Sequence, residues 1–365
     1  MAAAALELRT TGSLSNDSDP VVVRRPAPSS CVVQHRRRAS SSAPWPNALR
    51  SGALHPTLDC ALLRFPCLPS GVRIMVRVMS SVLTSPLVST QWLADHLGAD
   101  ELVVLDASVH TSGTGRGTTW QTARDSYEQH GHVPGARYAD LARDFSTPGA
   151  DLPFTRPDAE QFELAVRALG ITNASTVVVY DDSVGEWSAR LWWIFRAFGF
   201  DDVAVLDGGF VKWRDEGRPV RIGALRTAAA RHPETDVFLA GEERPLWADR
   251  ARVERAVDGT QPAALVLAAD DTTLGTEHPP VVPGTTPITL HRVIDQDSNA
   301  LRRPAALRDV FAPVLGSDEI VTYCGVGSAA CVDALALTVL GHDHVQVYDG
   351  SLADWWRWDL EPIAS

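Results

Sequence analysis

Two stretches of the chain spell the same frame. Val203-Ala204-Val205-Leu206-Asp207-Gly208 runs on to Trp213, and Val345-Gln346-Val347-Tyr348-Asp349-Gly350 runs on to Trp355, so V-x-V-x-D-G-x-x-x-x-W occurs at 203–213 and again at 345–355. Ahead of each copy comes an apolar run and then a segment of helical period. In the first half these are Val177-Val178-Val179-Tyr180-Asp181-Asp182 and residues 188–199; in the second they are Ile320-Val321-Thr322-Tyr323-Cys324 and residues 332–337. Fainter partners lie upstream: 102–107 matches 265–269, and Val133-Pro134-Gly135-Ala136 matches Val282-Pro283-Gly284-Thr285. A duplication of this length restricts the chain to two copies of one fold, each of about 130 residues with its own core. Short apolar runs separated by helical patterns predict α/β domains, each a mainly parallel sheet flanked by helices on both faces. The expected boundaries are 86–220 for one domain, 221–244 for a linker and 245–365 for the other.

The copies differ in one chemical respect. Cys324 ends an apolar run and opens the stretch Gly325-Val326-Gly327-Ser328-Ala329-Ala330, which leads into a helical pattern. Glycines let a backbone curl until successive N–H groups converge, and the helix N-terminus adds partial positive charge there. Both effects favour thiolate, the nucleophilic form. Asp181 stands in the corresponding place of the first half; a carboxylate is no sulfur nucleophile, and its expected role is to cap a helix. The plainer alternative for Cys324 is a buried structural thiol, and that is the reading for Cys331 two turns into the helix.

Composition narrows the class. A hydrophobic fraction of 45% and a charged fraction of 21% over 365 residues suit a globular protein of two domains. No apolar run reaches the ~18 residues of a membrane span, so no membrane role is expected. The cysteines at 31, 60, 67, 324 and 331 form no CxxC pair and no metal spacing, which points to a reducing compartment. Residues 1–80 hold ten Arg and four acids, a net of +6, leaving −18 on the remainder against a whole-chain −12. So acidic a body excludes nucleic acid as a partner. Residues 1–80 are Ser/Arg/Pro-rich without period and are expected to be a disordered extension. They read either as an organelle transit peptide or as sequence ahead of a start at Met75 or Met79, and the near-total replacement of Lys by Arg favours the second. The expected location is cytoplasmic, or mitochondrial if residues 1–80 are a transit peptide.

Five strings, in order, carry a family resemblance: Gly131-His132-Val133-Pro134-Gly135-Ala136, Ser188-Ala189-Arg190-Leu191-Trp192-Trp193, Leu206-Asp207-Gly208-Gly209, Tyr323-Cys324-Gly325-Val326-Gly327 and Tyr348-Asp349-Gly350-Ser351. They resemble the tandem-domain rhodanese family, the thiosulfate and 3-mercaptopyruvate sulfurtransferases, over residues 86–360. The resemblance implies two tandem rhodanese-like domains, non-catalytic over 86–220 and catalytic over 245–365. It implies sulfane-sulfur transfer through a persulfide on Cys324, with Gly325, Val326, Gly327, Ser328 and Ala329 as the loop that binds substrate and persulfide. It implies a small sulfur donor, a thiol, cyanide or protein sulfur acceptor, and neither metal nor organic cofactor.

The chain departs from the family at several points. Val326 replaces a serine and Ala329 a threonine of the mercaptopyruvate-type loop. The loop also lacks the basic residues of thiosulfate-type members, which disfavours a dianion. No Arg lies between Arg255 and Arg292 to hold the donor's anion. Candidate anion contacts are therefore Arg116 and Arg124 from the first half, and His291 and Arg292 from the second. His132 is expected to be structural, Arg190 to pair internally, and Trp355 to be core as Trp213 is. A phosphatase of C-x5-R type is disfavoured because the loop has no Arg. A persulfide relay or binding module with little small-donor turnover is the remaining alternative.

Overall fold

The computed structural model describes residues 5–7, 75–77, 83–113, 117–224, 238–269, 274 and 279–356. The extension expected over residues 1–80 lies outside them, apart from Ala5–Glu7 (β1) and Met75–Arg77 (β2), which pair as a two-stranded sheet. Most of the expected linker is also outside.

The first half runs β3 (Leu87–Val88), α1 (Thr90–His96), β4 (Leu102–Asp106), the hairpin strands β5 (Val109–Ser112) and β6 (Thr119–Thr122), α2 (Arg124–Gln129), β7 (Arg137–Tyr138), α3 (Ala159–Ala168), β8 (Thr176–Tyr180), α4 (Glu186–Ala197), β9 (Val203–Leu206) and α5 (Gly209–Asp215). The second runs β10 (Trp247–Ala248), α6 (Arg250–Val257), β11 (Ala264–Leu267), β12 (Thr285–Pro287), α7 (Leu290–Val293), α8 (Pro304–Phe311), β13 (Ile320–Tyr323), α9 (Ala329–Val339), β14 (Val345–Tyr348) and α10 (Ser351–Trp355). The sheet orders are β3-β9-β8-β4-β7 and β10-β14-β13-β11-β12, with every pair parallel. Position by position the two orders are the same, so the duplication read from the frame at 203 and 345 is a duplication of topology.

Local chemistry sets the elements. The strands are rich in Val, Leu and Ile, which fit a sheet buried on both faces. Asp158 and Asp249 cap α3 and α6 by accepting the amides of Gln161 and Arg252, and Pro304 opens α8. In the two Val-Pro-Gly turns, Gly135 and Gly284 take φ of 82° and 78°, a left-handed conformation that favours glycine.

α4 and α9 are buried around nearly their whole circumference and pack against each other. A helix apolar all round belongs inside a core. One hydrophobic cluster accordingly runs from Phe162, Trp192, Trp193 and Phe195 of the first half to Val332, Leu335 and Leu337 of the second. Burying each such side chain stabilises by ~1.5–3 kcal/mol, so the halves share a core across their junction. Trp213 is fully buried on the other face of the first sheet. Its repeat partner Trp355 is half-buried beneath the Arg250 guanidinium, 4.9 Å from the ring centroid. No helix among the described residues is long and apolar enough to cross a membrane.

Candidate active site

Cys324 follows the last residue of β13, where the chain leaves the carboxyl end of the sheet, the place at which α/β folds bind ligands. The repeated Asp-Gly segment clamps it. Ser351 Oγ accepts the Cys324 amide at 3.1 Å and donates to Tyr348 O at 2.8 Å. The Leu352 and Ala353 amides donate to the carbonyls of Cys324 and Gly325 at 2.9 and 3.0 Å. Ser351 holds φ of 49° to make these bonds. The loop then turns inward, and the Gly327 amide donates to Cys324 Sγ at 3.1 Å. Gly327 has φ of 84°, and a Cβ there would lie 2.7 Å from both Arg190 Nη1 and Asp349 O. Glycine is a requirement at that position.

The first half shows what such a loop binds. Phe210 N donates to Asp181 O at 2.8 Å as Leu352 N does to Cys324 O, and Ala107 N donates to Tyr180 O as Ala268 N does to Tyr323 O, each at 2.8 Å. Asp181 is thus the structural equivalent of Cys324. Its Oδ1 accepts from the Ser183 amide and hydroxyl and from the Gly185 amide at 2.9–3.1 Å. Its Oδ2 accepts from the Trp187 and Ser188 amides at 3.0 and 2.8 Å. This strand-to-helix loop is an anion-binding nest, filled by the protein's own carboxylate in one half and lined by a thiol in the other.

Where the sequence suggests a thiolate, burial pushes the Cys324 thiol above its ordinary range. The amides of Ala330, Val326 and Gly327 pull it down, and the Glu186 carboxylate adds to the rise. Loss of water outweighs the loop amides. Cys331 is buried, donates from Sγ to Gly327 O at 3.2 Å, and is raised further by burial.

Cys324, Gly325, Val326, Ser328 and Ala329 line a cavity of about 110 Å³ whose other walls are Thr111, Thr118 and Trp120 of the hairpin, Glu186 and Trp187 of α4, and Ala268, Ala269 and Leu274. Glu186 Oε2 accepts from Ser328 Oγ at 3.3 Å. Among the described residues no Lys, Arg or His side chain lines the cavity. A larger cavity, about 180 Å³, lies in the first half beside Asp106, His130, Asp182 and Arg214. It contains no thiol, whereas the smaller one is lined by Cys324.

Arg116 lies outside the described residues, in the same insertion that supplies Thr111, Thr118 and Trp120. Arg124 is exposed with its guanidinium 4.8 Å from the Tyr138 ring centroid. His291 is exposed against Thr289, its Nδ1 2.9 Å from Oγ1. Arg292 is exposed and reaches Pro287 O at 3.4 Å. The last three are not brought to the cavity. His132 is buried, donates from Nδ1 to Tyr127 O and stacks on that ring at 3.9 Å, a structural role. Arg190 forms its ion pair not within its own half but across the junction. It is fully buried, donates to Gly327 O at 3.0 Å, to Asp349 Oδ1 at 2.7 Å and to Phe154 O, and lies over the Trp247 ring. Glu186 and Trp187 are wall residues missing from the sequence reading, as are Thr111, Thr118, Trp120 and Leu274. The one signal for Glu186 and Trp187 is that they open the helix after Asp181, the counterpart of Cys324. No group of His, Cys, Asp or Glu among the described residues is placed to hold a metal ion.

A rhodanese-like domain model matches residues 89–216 and 282–357. Thiosulfate sulfurtransferase of Cricetulus griseus is 34% identical over 298 residues, covering 77% of this chain and 95% of that protein. 3-Mercaptopyruvate sulfurtransferase of Mus musculus is 32% identical over 290 residues, covering 74% and 91%. The crystal structure of SseA from Escherichia coli, a 3-mercaptopyruvate sulfotransferase of rhodanese fold, superposes with a TM-score of 0.62 at 26% identity, covering 73% of this chain and 99% of that one. With the topology duplicated, the thiol loop at the carboxyl end of the second sheet and these relatives over most of its length, the chain belongs to the rhodanese family and is a sulfurtransferase.

Proposed function

We propose that the protein moves a sulfane sulfur from 3-mercaptopyruvate or thiosulfate to a thiol or cyanide through a persulfide on Cys324. The observation that carries this reading is the Gly327 amide aimed at Cys324 Sγ in a loop whose twin in the first half binds a carboxylate. The Cys324 thiolate attacks the donor's outer sulfur. With 3-mercaptopyruvate the C–S bond breaks and its electron pair leaves on the enolate carbon, which takes a proton to become pyruvate. With thiosulfate the S–S bond breaks and the pair leaves on sulfite. The persulfide anion then lies among the amides of residues 326–330, which stabilise it as an oxyanion hole stabilises its charge. An acceptor thiolate or cyanide attacks the outer sulfur, and the Cys324 thiolate departs, restoring the enzyme.

In this reading residues 86–220 supply walls and 245–365 supply the nucleophile. Free, buried Cys324 and Cys331 suit a reducing compartment, cytoplasmic or mitochondrial. A 30% identical relative from Arabidopsis thaliana is named as mitochondrial. The test is turnover with each donor and cyanide as acceptor, comparing wild type with Cys324→Ser. Loss of turnover in the variant is expected, and retained turnover would overturn the assignment. The cavity's lack of a described cationic wall favours a second reading, relay from a protein persulfide. Turnover with neither small donor, but with a persulfidated protein, would select it.

A further inference from the structure

Glu186 sits in the wall of the Cys324 cavity, half-buried, on the first turn of α4 and therefore on the half that carries no nucleophile. Its Oε2 is bonded to Ser328, four residues after Cys324, so the carboxylate is tied to the catalytic loop itself. The described charged groups around it do not compensate it. Asp181, at the end of β8, is a second carboxylate with its charge directed onto its own loop amides. Arg190, one turn along α4, spends its guanidinium on Gly327 O, Phe154 O and Asp349. From the catalytic loop only Cys324 is titratable. Of the described residues, the hairpin contributes Thr111, Thr118 and Trp120, and the β11 side contributes Ala268, Ala269 and Leu274, none of them charged. The donors the described wall offers are neutral: loop amides, and Trp187, whose indole N–H has no hydrogen-bond partner among the described residues.

We propose that Glu186 is a specificity-determining residue that gates the cavity by charge, its carboxylate excluding doubly negative sulfur donors and admitting monoanionic or neutral ones. The gate rests on the persulfide reading for its purpose, since it names the class of donor that reading requires. A nucleophilic thiolate, an ionised Glu186 and a dianion would place four negative charges in about 110 Å³ without a described cation. A monoanion removes one, and protonation of Glu186 removes another. Burial, reinforced by the Asp181 carboxylate and opposed by the Ser328 hydrogen bond, pushes Glu186 up to about 7. The gate therefore closes as pH rises through neutrality and opens below it.

The test reads charge exclusion at Cys324 apart from turnover. Alkylation of Cys324 is timed with iodoacetate, an anion, and iodoacetamide, its neutral isostere, from about pH 5.5 to 8. The ratio of the two rates cancels the thiol ionisation common to both reagents. In wild type the iodoacetate-to-iodoacetamide ratio is expected to be low at pH 8 and to climb as pH falls. Glu186→Gln should raise it about tenfold at pH 8 and leave it flat. Glu186→Asp, which keeps the charge, should keep it low, whereas a merely structural role would group the Asp and Gln variants by packing. The same proteins are then given thiosulfate and 3-mercaptopyruvate, and Glu186→Gln should raise the thiosulfate-to-mercaptopyruvate ratio of kcat/KM. An alkylation ratio that is the same in wild type and Glu186→Gln overturns the gate. A ratio that moves as expected while neither donor loads sulfur leaves the gate standing and removes the small-donor reading instead.

Discussion

Gly327 concentrates what the catalytic loop demands of a single residue. Its amide reaches Cys324 Sγ, its carbonyl takes Arg190 and Cys331, and its φ of 84° leaves no room for a Cβ. Gly327→Ala should lower the melting temperature, costing about 1–3 kcal/mol from backbone strain, and abolish turnover. Unchanged activity in a folded Gly327→Ala protein would show that the amide geometry is dispensable. Cys324 itself makes a second prediction at this scale. Its thiol is raised above the ordinary 9.0 chiefly by burial. Its reaction with neutral iodoacetamide should therefore still be accelerating above pH 9. A plateau near neutrality would mean that the amides outweigh desolvation. That balance was not legible in the string Cys-Gly-Val-Gly, because burial comes from Trp120, Glu186 and Trp187, which lie far away in sequence.

At the scale of elements, α4 and α9 occupy equivalent places in the repeat and meet at the junction. The residue in register with Arg190 is Asp333, fully buried, its carboxyl without a hydrogen-bond partner among the described residues. Burial holds its pKa well above the ordinary carboxylate value. The folded protein keeps this proton at pH values where the unfolded chain has lost it, so stability falls as pH rises from the usual carboxylate range toward the folded pKa. Asp333→Asn, neutral and isosteric, should match wild type near pH 3 and be the more stable at pH 7. The gap should widen by ~1.4 kcal/mol per pH unit across that window. Denaturation curves at several pH values measure it, and a gap independent of pH would contradict a protonated Asp333. The element order was readable in the sequence because the Val-x-Val runs and the Asp-Gly frame recur in step. The facing of α4 and α9 was not, since both are buried nearly all round and periodicity cannot say which side meets which partner.

For the whole molecule, the proposed mechanism depends on a junction rather than on one domain. The proposed nucleophile, Cys324, belongs to the second half, whereas Glu186, Trp187, Trp120 and the Arg190 brace belong to the first. Arg190→Met should leave Asp349 without its ion pair and Gly327 O with only the weak Cys331 thiol donor, costing about 3–5 kcal/mol and most of the turnover. Wild-type stability and activity in that variant would show the brace to be incidental. The family motifs in the sequence carried the fold and placed Cys324 at a strand end, but the Arg190–Asp349 bond joins residues from opposite copies, and no spacing within either copy predicts it. The anion contacts sought at Arg124, His291 and Arg292 failed to converge for the same reason: each follows its own half's surface.

The central claim is that Cys324 carries the sulfur. Protein incubated with 3-mercaptopyruvate, or with thiosulfate below neutral pH, freed of excess donor and weighed intact should gain about 32 Da, one sulfur atom. The gain should vanish in Cys324→Ser and reverse when cyanide is added. A gain that survives Cys324→Ser, or sits on Cys331, would contradict the account.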